Sequence, residues 1–217
     1  MDRPVNICAG PFGAIYDLYI ERPWLMRLIG RVIWGIDASV LYTSMKPIGQ
    51  VGHGATIIDV PCGGGVAFRA LRPEQKVRYV AADISERMLE RAERRAKRYS
   101  LEQVEFRSAD MTALPFNDDE ADLFLSYSGL HMLEDPQSAV REIARCLKPG
   151  GELIGTTFLW DENSRSRRLF QLGARRGHPL PPTREDLLGW LSAAGIAEPW
   201  IGPQSAFAVL RGRKPMG

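Results

Sequence analysis

Between Thr56 and Phe158, short apolar runs rich in β-branched residues alternate with longer stretches whose apolar positions recur every three or four residues. TIIDV, VRYVAAD, VEFRS, ADLFLS and ELIGTTF have the length and composition of buried strands. SERMLERAERRAKRYS and DPQSAVREIARCLKPGG carry the helical period instead. Further on, EDLLGWLSAAG reads as a helix capped by Thr183, and AEPWIG and SAFAVLRG supply the last strands. Strand and helix alternating at this spacing predict an α/β chain, a doubly wound and mostly parallel sheet covered on both faces, with its last strand antiparallel. The punctuation agrees: Ser85 and Asp135 are placed to cap helices, Pro136 suits a first helical position, and Pro149-Gly150-Gly151 closes a helix before the next strand.

Ahead of the sheet, residues 21–42 (ERPWLMRLIGRVIWGIDASVLY) repeat apolar side chains at Leu25, Leu28, Ile29, Val32, Ile33 and Ile36, the pattern of one amphipathic helix. Arg27, Arg31 and Asp37 interrupt it too soon for a membrane span of about 20 apolar residues. Its expected place is against the main domain; a substrate lid or an interfacial helix is the alternative. The division that follows is an N-terminal helical cap over residues 1–50 and a sheet domain over 51–217, with an insertion at 160–182 that belongs to neither strand nor crossover.

Composition narrows the function classes. A chain of 217 residues that is 45% hydrophobic and 25% charged has material for one sizeable core, and a net charge of +2 gives no general attraction to nucleic acid. Cys8, Cys62 and Cys146 are too widely spaced for a metal cluster and too few to pair completely, which fits a reducing compartment. The N-terminus carries an early acid and two prolines where a signal peptide would have a continuous apolar run, so the expected location is cytoplasmic.

The first strand ends in Asp59-Val60-Pro61-Cys62-Gly63-Gly64-Gly65. Ligands of open parallel sheets bind outside the carboxyl ends of the strands, where this glycine run stands. It lacks the Gly-Lys-Ser/Thr ending of a P-loop, and it matches the dinucleotide pattern at Gly63 and Gly65 but breaks it at Phe68. The second strand ends in Asp83, about twenty residues later, where a carboxylate can accept both hydroxyls of a ribose. That feature serves a nicotinamide cofactor and S-adenosylmethionine equally. The third strand runs into Ser108-Ala109-Asp110-Met111, an acceptor for an adenine amino group beside a soft apolar wall.

The segments IIDVPCGGG, AADISERMLERA, SADMTALPF and GLHMLEDPQSAVREIARCLKPGGELI together resemble the class I S-adenosylmethionine-dependent methyltransferases, in particular the small-molecule branch that includes the ubiquinone and menaquinone biosynthesis enzymes. The resemblance covers residues 55–160 closely and implies a Rossmann-like methyltransferase fold. It implies that Asp59 and the backbone from Gly63 to Gly65 hold the methionine end of the cofactor, Asp83 the ribose, Ile84 and Met88 one side of the adenine, and Asp110 its amino group with Met111 alongside. Pro61 departs from the family, which more often has glycine there, and the turn tolerates it only if that position neither donates a hydrogen bond nor takes a positive φ. Cys62 is expected to pack beneath the cofactor, Ser126 to border it from the fourth strand, and Tyr16 to close the pocket from the N-terminal side. The fourth strand runs into Ser126-Tyr127-Ser128-Gly129, without the signatures of nucleic-acid base methyltransferases.

His131 follows that strand, near the expected position of the methyl group, and is the candidate proton acceptor. With an ordinary imidazole it would lose that role around pH 6 to 7. The implied acceptor is a small, hydrophobic or lipid-like molecule, such as a fatty acid, phenol or quinol, methylated at oxygen in preference to carbon. Its binding parts are the N-terminal helices and the insertion, where Arg165, Arg167, Arg168, Arg175 and Arg176 surround Leu169, Phe170 and Leu172. Peripheral membrane contact is compatible with such an acceptor. An NAD(P)-binding oxidoreductase and a non-catalytic S-adenosylmethionine-binding module stay open as alternatives.

Overall fold

A computed structural model describes residues 22–34, 37, 39–160, 164–202 and 206–217. Among them one sheet is formed by β1 (Thr56–Asp59), β2 (Arg78–Asp83), β3 (Val104–Ser108), β4 (Ala121–Tyr127), β5 (Leu147–Phe158), β6 (Ala197–Ile201) and β7 (Phe207–Arg213). The strand order is β3-β2-β1-β4-β5-β7-β6. Neighbours from β3 through β5 are parallel, whereas β7 runs antiparallel to both β5 and β6. The helices are α1 (Pro23–Ile29), α2 (Ser39–Ser44), α3 (Glu86–Arg98), α4 (Pro136–Cys146), α5 (Ser164–Ala174) and α6 (Arg184–Ala193).

Adjacent residues of a strand point to opposite faces, so the apolar runs of the central strands build two cores at once. Ile58, Val80, Phe124 and Leu153 pack with Val140 and Ile143 of α4 and Leu187 and Leu191 of α6. Their chain neighbours Ile57, Tyr79, Leu125 and Ile154 pack on the other face with Leu41 of α2, Phe68, and Ala92 and Ala96 of α3. Each fully buried side chain of this size contributes roughly 1.5 to 3 kcal/mol. In α3 the buried positions Met88, Ala92, Arg95 and Ala96 fall on one stripe, which explains why so charged a helix docks.

Two capping expectations hold and one does not. The Asp135 carboxylate accepts from the Ser138 amide, and Thr183 and Asp186 form a reciprocal capping box. The Ser85 side chain makes no cap bond; its amide instead donates to Asp83. The α4 helix also ends earlier than its sequence suggests. Leu147 already pairs with Ala121 in the sheet, so Pro149-Gly150-Gly151 lies inside β5, and the Gly150 amide donates to the Lys214 carbonyl. Pro149 has no N–H to contribute, and the two glycines after it carry the bonds to Lys214.

The single helix expected across residues 21–42 is divided. After α1 the chain widens into a π-helical turn over Gly30–Trp34, and α2 starts at Ser39, whose amide donates to the Asp37 carboxylate at 3.0 Å. Asp37 therefore starts a second helix, as short acceptor side chains do, and does not merely break a first one. Nor does the apolar stripe face one way: Leu25, Met26 and Ile29 are half-buried, while Trp24, Leu28 and Val32 are exposed. No helix among the described residues is long and apolar enough to cross a membrane.

Candidate active site

The sheet reverses its winding between β1 and β4, and the glycine turn leaves β1 at that point. Three hydrogen bonds fix the turn. The Cys62 amide donates to the Ala82 carbonyl at 2.8 Å, the Gly63 amide to Asp83 Oδ2 at 2.9 Å, and the Gly65 amide back to the Cys62 carbonyl at 2.9 Å. Gly63 and Gly65 have φ of +51° and +77°, values that disfavour any residue with a Cβ. A Cβ on Gly65 would sit 2.5 Å from the Phe68 ring, whereas a Cβ on Gly63 would meet nothing within 4 Å. Gly65 is thus required by the packing beneath the turn, and Gly63 faces open space.

Pro61 fits because its position makes neither demand; the Val60–Pro61 peptide is cis, and the next amide, of Cys62, makes the bond to β2. Its ring lies against Gly129, where a Cβ would come within 2.3 Å of Pro61 and 3.4 Å of the Met111 sulfur. The ends of β1, β3 and β4 therefore converge. Cys62 is buried in the core with Phe68 and Tyr79, and burial pushes its thiol well above the usual range, which removes it as a nucleophile.

Asp83 is buried at the end of β2, with Oδ2 held by the Gly63 amide and Oδ1 by the Ser85 amide. Burial raises its pKa against the pull of these bonds. Each oxygen retains capacity for a further donor. Beside it, the Ile84 side chain is 55% exposed at the carboxyl edge of the sheet, an apolar surface that folding alone would cover. Met88 and Met111 are both buried. Asp110 is exposed, with Oδ1 taking the Thr112 amide and hydroxyl. The loop after it is pinned to α4, since the Leu114 amide donates to Glu142 and Arg145 binds Glu142, Asp118 and the carbonyls of Leu114 and Phe116.

Asp59 ends β1 completely buried. Its Oδ2 accepts from the Tyr79 hydroxyl at 2.7 Å, and its Oδ1 has no partner. Burial, opposed by the Tyr79 bond and reinforced by the nearby Asp83 charge, raises its pKa to about 7. The sign follows from proton uptake: between its usual value and about 7 the folded chain binds the proton that the unfolded chain has lost, so this group favours folding as pH falls through that window. Asp59→Asn should therefore raise the melting temperature of the ligand-free protein at pH 8. The gain should shrink as the pH approaches 5, where the folded forms of parent and variant are both neutral at this position; thermal scans across pH check it. Tyr79 was not among the residues singled out in the sequence, because a tyrosine in an apolar strand reads as core.

His131 lies in the 3₁₀ turn Leu130–Met132 after β4, half-buried, with its Nδ1 sealed from solvent and without a partner. Its ring meets Phe158 edge-on at 4.9 Å, and Phe158 in turn contacts Phe170 of α5 at 5.4 Å and Phe207 of β7 at 4.9 Å. Burial lowers the imidazole pKa to about 4. That corrects the expected titration around pH 6 to 7: the ring is neutral throughout the physiological range. Ser126 is buried at the end of β4 with an unpartnered hydroxyl. Tyr16 lies outside the described residues.

On the insertion side, Trp160, Gln171, Ala174, Arg175 and Leu180 line an open cavity of about 480 Å³, and Arg167 lies over the Trp160 ring at 5.6 Å. A second cavity of about 450 Å³, around Pro47, Asp122 and Glu152, is at the opposite, amino end of the strands and away from every residue above. Open space at Gly63, the unpaired buried oxygen of Asp59, the spare acceptors of Asp83 and the exposed Ile84 side chain suit a ligand with a cationic amine, a ribose and a flat base. S-adenosylmethionine has all three.

The methyltransferase-domain family matches residues 58–155. A demethylmenaquinone methyltransferase of Clavibacter sepedonicus is 33% identical over 187 residues, 76% of this chain and 75% of that one. A ubiquinone/menaquinone biosynthesis C-methyltransferase of a Ruegeria species is 31% identical over 75% of this chain and 63% of its own length. The structure of Haemonchus contortus phosphoethanolamine N-methyltransferase 2 with S-adenosyl-L-methionine superposes with a TM-score of 0.76 over 97% of this chain and 58% of that one, at 14% identity, a likeness of fold. With the glycine turn at the reversal of the sheet and a relative sharing a third of its residues over most of both chains, this protein belongs to the class I S-adenosylmethionine-dependent methyltransferases and is similar to those of ubiquinone and menaquinone biosynthesis.

Proposed function

We propose that this methyltransferase acts on the hydroxyl oxygen of a small hydrophobic aromatic acceptor, a phenol or quinol, with His131 as the group that receives the hydroxyl proton. The observation that carries the reading is the His131 imidazole set in a ring cluster with Phe158, Phe170 and Phe207, at the carboxyl ends of β4 and β5. Phe158 and Phe170 offer a flat acceptor edge and face contacts, and the cluster joins the insertion to the sheet.

When bound, S-adenosylmethionine supplies a methyl group on a positively charged sulfur. The chain's share is to hold and align. Asp59 and the backbone from Gly63 to Gly65 would hold the amino-acid end, Asp83 the two ribose hydroxyls, Ile84, Met88 and Met111 the adenine faces, and Asp110 the adenine amine, with Cys62 packing beneath and Ser126 at the border. The acceptor hydroxyl would donate to His131, and the imidazole would take up its proton when the oxygen is methylated. Full transfer beforehand would be uphill by about 8 kcal/mol, from a phenol of pKa near 10 to an imidazole of about 4 at roughly 1.4 kcal/mol per unit, so proton and methyl must move together.

A second reading, methylation at ring carbon, is favoured by the relative named as a C-methyltransferase. It uses the same hydroxyl–His131 contact to enrich the ring. Incubation with S-adenosylmethionine labelled with ¹³C at the methyl, across phenols, quinols and fatty acids, followed by NMR of the product, tests the choice. An aryl methyl ether is expected. A label on ring carbon establishes the second reading, and a labelled fatty acid ester overturns both.

A further inference from the structure

The exposed side of α1 is both apolar and basic. Along α1 and the π-helical turn that continues it, Arg27, Arg31, Trp24, Leu28 and Val32 fall on one arc, and Leu25, Ile29, Met26 and Gly30 on the other. Burial follows this division: Trp24, Leu28 and Val32 are 62%, 54% and 62% exposed, whereas the opposite arc is buried or half-buried. A helix that docks one apolar stripe has no folding reason to carry a second one facing outward.

The neighbouring element repeats the theme. α5 packs on the π-helical turn that continues α1. Its exposed positions come in pairs one turn apart, Arg167 and Arg168, Gln171 and Leu172, then Arg175 and Arg176 just beyond its end. Residues 22–34 and 164–178 together contain eight arginines and no acid. Among the described residues beside these segments, the Asp37 carboxyl is held low by the Ser39 amide, with Arg27 and Arg31 adding to the effect.

We infer that the surface formed by α1 and α5 docks on an anionic lipid bilayer. Trp24, Leu28 and Val32 enter the headgroup region while Arg27, Arg31, Arg168 and Arg176 meet lipid phosphates. A tryptophan and aliphatic side chains between arginines are what such an interface selects, and arginine stems lie along apolar surface while their heads stay wet. Charge complementarity favours anionic lipid over a second copy of the chain, because two such faces brought together would repel. The inference goes beyond the reading of the acceptor and does not require it, although α5 also carries Phe170, so the docked face adjoins the ring cluster.

Flotation of the full chain with vesicles, without any acceptor, tests it. Binding to phosphatidylcholine vesicles containing about a third phosphatidylglycerol should exceed binding to phosphatidylcholine alone at least about tenfold and should fall away in about 0.5 M NaCl, where charges are screened within a few ångströms. Trp24→Ser with Leu28→Ser should abolish it, as should the fourfold change Arg27→Gln, Arg31→Gln, Arg168→Gln and Arg176→Gln. Both variants should bind S-adenosylhomocysteine like the parent in calorimetry, which confirms that they are folded. Failure of the parent to float with anionic vesicles overturns the inference, as does equal binding to neutral ones. A parent dimer in light scattering that the Trp24 and Leu28 changes dissolve would reassign the face to a second copy. Absence of methyl transfer to any acceptor would leave it standing.

Discussion

Asp83→Ala is expected to weaken S-adenosylhomocysteine binding at least tenfold, the largest effect of any single change in the proposed cofactor site. The carboxylate would accept two ribose hydroxyls in a buried position, and hydrogen bonds to charged groups contribute roughly 1.5 to 3 kcal/mol each. The geometry adds a second loss. Asp83 also holds the Gly63 amide at 2.9 Å, so its removal frees the turn that lies against the ligand. Asp83→Asn separates the two: it retains a carbonyl acceptor for one of these contacts and should fall between parent and alanine. Calorimetry with S-adenosylhomocysteine reads both variants. Unchanged affinity in Asp83→Ala would show that the ribose lies elsewhere.

Why Asp83 was legible from the sequence, and Tyr79 was not, is a matter of where each can be recognised. The interval from the glycine turn to the acid at the end of the second strand reflects one crossover of a parallel sheet, so spacing alone places Asp83 beside Gly63. The strands themselves were legible because runs such as Ile57-Ile58 and Leu123-Phe124-Leu125 are apolar on both faces, which only a covered sheet permits. Tyr79 and Phe158 sit in such runs, and their contacts with Asp59 and His131 depend on register between strands, which no local pattern encodes. The helix over 21–42 was misread for a related reason. Its period is helical throughout, yet whether a given apolar side chain points inward depends on the partner surface, and Leu28 and Ile29 differ in exposure though adjacent in sequence. Likewise Pro149-Gly150-Gly151 has the composition of a helix stop, but its register with Ala121 and Lys214 draws it into the sheet.

His131→Ala should lower turnover by about 10² or more under cofactor saturation, the usual scale of a lost general base. The parent's pH profile gives the sharper test. Burial holds the imidazole near 4, so turnover should stay level from pH 8 down to about 5 and decline only below that, instead of falling between 7 and 6 as an ordinary histidine would dictate. The same shift affects stability with a definite sign. Since the folded pKa lies below the unfolded value, the unfolded chain takes up a proton that the folded chain refuses, and the contribution present above about pH 6.5 is lost as pH falls toward 4. His131→Gln, which cannot protonate, should therefore lose less melting temperature than the parent over that interval. It can still accept the hydroxyl's hydrogen bond but cannot keep its proton. A variant that transfers methyl as fast as the parent would thus reduce His131 to a positioning residue, and a slow variant with the parent's acceptor KM would assign the proton to it.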